Sequence, residues 1–451
     1  MLQADSQVMP SAELSKPLRL PSDFAGPDEA NATSPDCRIA ANADTLLAVV
    51  NVTFAVFDRS GRQRLRCNLL EIFHPLIGDA DIFNPRVVYD QFRDRWAVAA
   101  CARSPADGMN SHHSWFLLAY SQSGNPMGDW WIWALDAGVD GVIKTAHSAD
   151  LLNLAVDNHS LYMTANMFGG QGQFLYAKLR VLNRKEAEVG GVLHGWDFWE
   201  LRNTDGTLTF GPQPAVNLRA AGAQYLLNAT NDGRGLTLWS FMQLPRQNPM
   251  LSRRFIPTVG YQLAPNAKQP RTRATIETGD TRLGNVIFRH GMLWAAHTIA
   301  ANWGDDENVA AIQWFQINPR AGCLINQGIY GAPHFHYFSP AVMADGESNL
   351  TLVFNRCGET EAPSIRFTGR RPSDVANSLH ASLLLQRGCS TQSPGYAPSS
   401  SASIAPEDSS IWIAGQYAAT EHDWATWIGE VRFAEVEEVR GQPFEEDVAA
   451  A

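Results

Sequence analysis

The feature of this chain that most restricts its fold is a pattern that recurs seven times. A small residue or a proline opens an alternating apolar run. The run breaks at a turn rich in Asp, Asn or Gly and returns as a second apolar run that often begins with Trp or Leu. In the clearest copy, Phe83-Asn84-Pro85-Arg86-Val87-Val88-Tyr89-Asp90 turns and comes back from Trp96 to Ala100. Further copies pair 338–345 with 350–354, 148–157 with 161–165, and 401–405 with 411–414. Weaker ones open at Cys37, Ala215 and Asn285. Alternation with period two around a tight turn specifies two antiparallel strands, each with one buried face.

Each hairpin is followed by one or two more strand-like runs, such as 115–120 and 130–135. The copies begin roughly 40 to 70 residues apart, room for about four strands each plus long loops. The expectation is one all-β domain, a seven-bladed β-propeller with long inter-strand loops. A β-helix would repeat at shorter intervals. A row of sandwiches would show Pro- or Ser-rich linkers, and the one such stretch, 390–403, lies inside the series.

Composition agrees with this reading. Gly 35, Pro 25 and only 18% charged residues favour strands and turns over amphipathic helices, and 451 residues suffice for a large core. The expected division is an N-terminal extension, 1–36, packing on or closing the propeller; the propeller itself, 37–433; and an acidic tail, 434–451. A net charge of -11 has the wrong sign for nucleic acid or an acidic membrane, so neither partner is expected. A monomer is expected. Met1-Leu2-Gln3-Ala4 lacks the basic start and apolar core of a secretion signal, which reads as cytoplasmic for the chain as it stands. A removed signal would make the protein secreted or periplasmic. The six cysteines show no CxxC spacing, and Cys357 with Cys389 is the pair expected to lie closest.

The segments 83–96, 150–168, 225–239 and 415–433 resemble a group of bacterial propeller proteins, mostly secreted and functionally uncharacterised, some of them labelled sialidase-like. The resemblance runs from about Cys37 to Phe433. It implies the propeller fold and brings no catalytic motif. The sialidase Asp box, S/T-x-D-x-G-x-x-W, is not met: in Thr230-Asn231-Asp232-Gly233-Arg234-Gly235 the glycine is out of register.

In a propeller the first strand of each blade lines the central channel, and ligands bind where the chain enters those strands. That register puts His147 before the third blade's first strand, and His334 and His336 before the sixth's. His297 falls at the end of the fifth blade's second strand, and His112, His113 and His422 in loops of the same face. Imidazole suits proton transfer and metal binding near neutral pH, so His147, His336, His334 and His297 are the candidate catalytic residues. Residues two apart in extended chain point the same way, which gives His334 and His336 a common side. Lys144, Asp150, Tyr337 and Asn84 stand close by in sequence as candidate ligand-binding residues. A divalent metal is compatible with such a site, although no metal ligand set is specified. No P-loop, dinucleotide fingerprint, G-x-S-x-G or HExxH occurs, so no nucleotide or flavin cofactor is expected. Two functions remain. One is an enzyme of lyase, isomerase, cyclase or metal-assisted hydrolase type acting on a small molecule or glycan. The other is a non-catalytic scaffold that binds a ligand or a protein.

Overall fold

Each recurring hairpin forms the inner pair of a blade. The computed structural model describes residues 18–28, 36–104, 113–242, 248–304, 307–393, 396–407, 409–420 and 423–434. Within them the innermost strands are Cys37–Ala41, Asp81–Asp90, Ser148–Val156, Gln213–Pro214 continued by Val216–Asn217, Leu283–Arg289, Phe335–Ala344 and Ser400–Ala405. Each leads an antiparallel sheet in chain order, and neighbouring inner strands pack in sequence around a ring in which the last meets the first. The protein is a seven-bladed β-propeller. The fourth blade is the irregular one: after Pro214 its inner strand leaves its own sheet, and Val216–Asn217 pairs in parallel with Ile287–Phe288 of the fifth blade.

The apolar residues of the repeats pack between blades. Trp96, Trp294, Trp314 and Trp412 are among the largest side chains wholly withdrawn from water. The aspartates that end three inner strands cap the hairpin turns. Asp90 accepts from the backbone of Phe92, Asp157 from His159 and Ser160, and Asp345 from Glu347 and Asn349. Such Asx contacts satisfy amides the turn would leave open. Asp90 also forms a fully buried ion pair with Arg184 of the third blade, 3.0 Å.

The seventh blade takes its outer edge from the other end of the chain. Leu18–Arg19 and Asp23–Ala25 pair antiparallel with Asp423–Phe433, Leu18 lying opposite Phe433 and Phe24 opposite Ile428. A second device seals the same seam. Backbone N–H groups of Cys37, Ile39 and Ala41 donate to the hydroxyls of Ser399, Ser401 and Ser403, at 2.9, 3.0 and 3.1 Å. The amides on the free edge of the first blade's inner strand are thereby satisfied from the seventh blade.

One outer strand is hidden in a stretch without alternation. The run 245–271 reads as a loop yet contains the outer strand Met250–Pro257, whose residues are mostly exposed on both faces and so show no alternation. Cys357 is buried with its thiol against the Lys268 carbonyl, Cys389 is exposed, and all six cysteines are free thiols. Residues 435–451 of the acidic tail, His112 and His422 lie outside the described residues.

Candidate functional site at the channel mouth

Four inner strands carry a one-residue β-bulge at the same point, near their leading ends. Two residues on the inner strand oppose one on its partner within Phe83–Arg86, Asp150–Asn153, Leu283–Val286 and Phe338–Ala341. Asn84, Leu151 and Ser339 hold φ of 50°, 58° and 53° there. Leu151 is a costly residue for the left-handed region, so its neighbours must fix it. Its N–H donates to Asn84 Oδ1 at 2.7 Å, tying the third bulge to the second. In the fifth blade Asn285 clasps the backbone of Val342 from both sides. At Gly284 a Cβ would stand 1.8 Å from the Pro340 carbonyl oxygen, which is why that bulge carries glycine. A bulge reverses the facing of the residues after it. Arg86 and Asn153 follow theirs, and both line the channel.

At this face the channel opens into a cavity of about 650 Å³. Its floor continues into a narrow throat lined by apolar residues such as Ile39, Val87, Leu154 and Ile287. The walls are polar, and three arginines dominate them: Arg38, Arg86 and Arg282. All three are aimed. Arg38 reaches Asp36 at 2.9 Å and donates to the Ser400 carbonyl. Arg86 reaches the other oxygen of Asp36 at 2.5 Å and Asn153 at 3.4 Å. Arg282 is anchored through Nε to Asp280 at 2.7 Å and lies over the ring of Phe210. Gly211 leaves it room, since a Cβ there would come within 2.8 Å of its Cδ. Among the described residues, the terminal nitrogens of Arg282 and one of Arg86 bond to no protein group.

Electrostatics tie the cluster together. Burial alone would raise the Asp36 carboxyl, but Arg38, Arg86 and Arg282 outweigh it and hold the group below its ordinary value. Burial draws Arg38 down to about 10 against the pull of Asp36, so it stays cationic at neutral pH. Asp36 thus serves as a fixed anion that sets two guanidinium planes. The other carboxylates of the cavity, Asp280 and Glu277, stand on the segment leading into the fifth blade, and Asn84, Asn153 and Gln213 add carboxamides. Guanidinium and carboxamide groups on one wall have the chemistry to hydrogen-bond a carboxylate or similar anion that also carries hydroxyls.

Of the candidates read from sequence, Asn84 lines this cavity and the four histidines do not. His297 is fully buried, with Nδ1 on the Thr281 carbonyl and Nε2 on Gln313, so both ring nitrogens are taken. His336 is buried and accepts from the Ala310 N–H. His334 is exposed with φ 65°, outside the extended strand, so the rule giving residues two apart a common side does not apply to the pair. His147 is half-buried. Its Nδ1 meets the Tyr176 hydroxyl at 2.8 Å, and that hydroxyl donates to Asp140, itself paired with buried Lys178. Asp150 accepts from Leu151 beside the bulge, Lys144 is exposed on a short hairpin, and buried Tyr337 receives a bond from Arg356 at 3.3 Å. His113 stacks on Trp115. Among the described residues, no three His, Cys, Asp or Glu side chains are grouped to hold a metal. The arginines were missed because they lie far apart in the chain. Their one local signal was the Asn84-Pro85-Arg86 opening of the clearest repeat.

No protein-family model and no curated protein matches the chain. Among solved structures it is similar to the sialidase of Trypanosoma rangeli in complex with sialic acid, at 12% identity and a TM-score of 0.38. That match covers 89% of this chain and 59% of the sialidase. It is also similar to the GH93 α-L-arabinofuranosidase of Fusarium graminearum with arabinobiose, at 11% identity over 77% of this chain and 92% of that one, TM-score 0.41. A protein of unknown function from Dyadobacter fermentans DSM 18053 is similar over 93% of this chain and all of its own length, at 8% identity and TM-score 0.40.

Proposed function

We propose that the channel mouth binds a carboxylated sugar and that the protein acts on it as a hydrolase. The observation that carries the reading is the convergence of Arg38, Arg86 and Arg282 on one cavity of about 650 Å³ at the channel mouth, a size that suits a sugar unit. The guanidiniums take the carboxylate, and Asn84, Asn153 and Gln213 take hydroxyls. Hydrolysis of a glycosidic bond needs one carboxyl group as acid and a second carboxylate as base or nucleophile. Glu277, exposed on the cavity wall, and Asp280 supply the pair in this reading. Asp36, clamped by two arginines, keeps the cations in place.

The test is turnover of aryl glycosides of uronic and other carboxylated sugars, with neutral aryl glycosides alongside. The expected result is release of the aryl group from a carboxylated substrate, falling at least a hundredfold in Glu277→Gln or Asp280→Asn. Binding of the carboxylated sugar without turnover of any of these substrates would contradict the hydrolase and leave a ligand-binding propeller.

A further inference from the structure

A second concave site lies on the outer rim, away from the channel. It is a cleft of about 390 Å³ between the third and fourth blades. Phe198, Trp239 and Leu251 form its apolar lining, Trp199 forms a wall, and Arg202 and Arg253 flank it. Trp199 is 38% exposed yet held in a set position. Gly141, at φ 63°, packs against the ring, and a Cβ there would stand 3.2 Å from the edge of the indole. The next residue, Glu200, takes φ 50°, a left-handed conformation in a non-glycine residue on the cleft wall. The lining is rigid as well: Trp239 Nε1 donates to Asn228, whose amide donates to buried Asn203.

The charges of the cleft are unevenly committed. Asp197 is taken by Arg180 through two bonds of 2.7 Å. Arg202 donates to the Gly206 carbonyl, and the Arg253 side chain makes no bond among the described residues. Two guanidiniums therefore share the cleft with one carboxylate, Glu200, that makes no ion pair among the described residues, on a protein whose net charge is -11. A fixed, water-exposed indole in a concave wall offers a flat apolar surface to the C–H face of a pyranose. A guanidinium beside it matches a carboxylate in the plane of its fork.

We propose that this cleft is a carbohydrate-binding site separate from the channel mouth, and that it takes a uronic-acid residue of a glycan strand. The sugar ring lies on Trp199, Arg253 pairs with its carboxylate, and Arg202 and Glu200 meet hydroxyls. The test is affinity electrophoresis of the full chain in native gels cast with polygalacturonate or alginate, with dextran as the neutral polymer. General charge repels a protein of net charge -11 from a polyuronate, so retardation reports a site. The expected result is retardation by a uronate polymer and not by dextran. In a background of Arg86→Met, which silences the channel mouth, Trp199→Ala and Arg253→Gln should each weaken it at least tenfold with unchanged melting curves, and Trp199→Phe should keep most of it. Free migration of the wild type in both uronate gels would overturn the proposal. So would unchanged retardation when Trp199→Ala is added to Arg86→Met, equal retardation by dextran, or loss of retardation through Arg86→Met alone.

Discussion

His336 shows how much of a residue's role depends on burial. Its position at the leading end of an inner strand was legible from the repeat. Its enclosure was not, because alternation does not reveal what packs over a strand end. The ring is 3% exposed and accepts from the Ala310 N–H at 3.2 Å. Burial, with Lys268 adding to it and Glu307 opposing, pushes its pKa down to about 4. The unfolded chain takes up this proton near pH 6.5 and the folded chain only near 4. The folded state therefore has its full stability above 6.5 and loses it progressively as pH falls toward 4, by roughly 3 kcal/mol in all. Urea unfolding of the wild type and His336→Gln between pH 7.5 and 4 checks this. The wild type should lose stability more steeply in that window, and parallel curves would contradict the assignment. At the channel mouth the residue scale reads differently. Arg38, Arg86 and Arg282 are charged residues in strands or just before one; a bulge sets the facing of Arg86, Gly211 leaves room for Arg282, and Arg38 meets them from a regular strand.

At the scale of elements, the inner hairpins were legible because compact apolar runs meet at sharp polar turns, although the second strands are covered on both faces rather than on the one face that alternation implies. The outer strands were less so, since Met250–Pro257 is largely exposed, Cys323–Tyr330 is half-buried to exposed, and their patterns are mixed. The bulges hid in plain sequence: Asn84-Pro85, Ser339-Pro340 and Gly284-Asn285 occupy the same place in their repeats. A period-two reading has no way to express the extra residue. The serine ladder at the closing seam was hidden in a different way. A Ser-rich stretch at the start of the last repeat copy, 399–403, places alternate hydroxyls against alternate amides of the first blade. Each such bond contributes roughly 1 kcal/mol, and more is lost where the amide is left buried without a partner. Replacing Ser399, Ser401 and Ser403 together by Ala should cost about 3 kcal/mol of unfolding free energy, whereas replacing exposed Ser60 and Ser123 should cost little. Equal losses in the two variants would show that the ladder does not hold the seam.

For the whole molecule, the count of seven and the order of the blades follow from the repeat, and the ring follows from the count. What the repeat leaves open is which loops meet over the channel. Residues 38, 86 and 282 belong to the first blade, the second blade and the approach to the fifth, and only ring closure brings them to one cavity. That closure rests on the N-terminal strands at Asp423–Phe433 and on the serine ladder beside them. The central claim, that the arginine-lined mouth is a site for a carboxylated sugar, is tested most directly by isothermal titration of glucuronate, galacturonate and N-acetylneuraminate. The titration uses the Trp199→Ala variant, so that the rim cleft is silent, with and without a further Arg86→Met or Arg282→Met change. The account predicts saturable binding of at least one of these sugars that weakens at least tenfold, about 1.4 kcal/mol, with either arginine change. Binding that survives both arginine changes, or no binding of any carboxylated sugar by a folded protein, would contradict it.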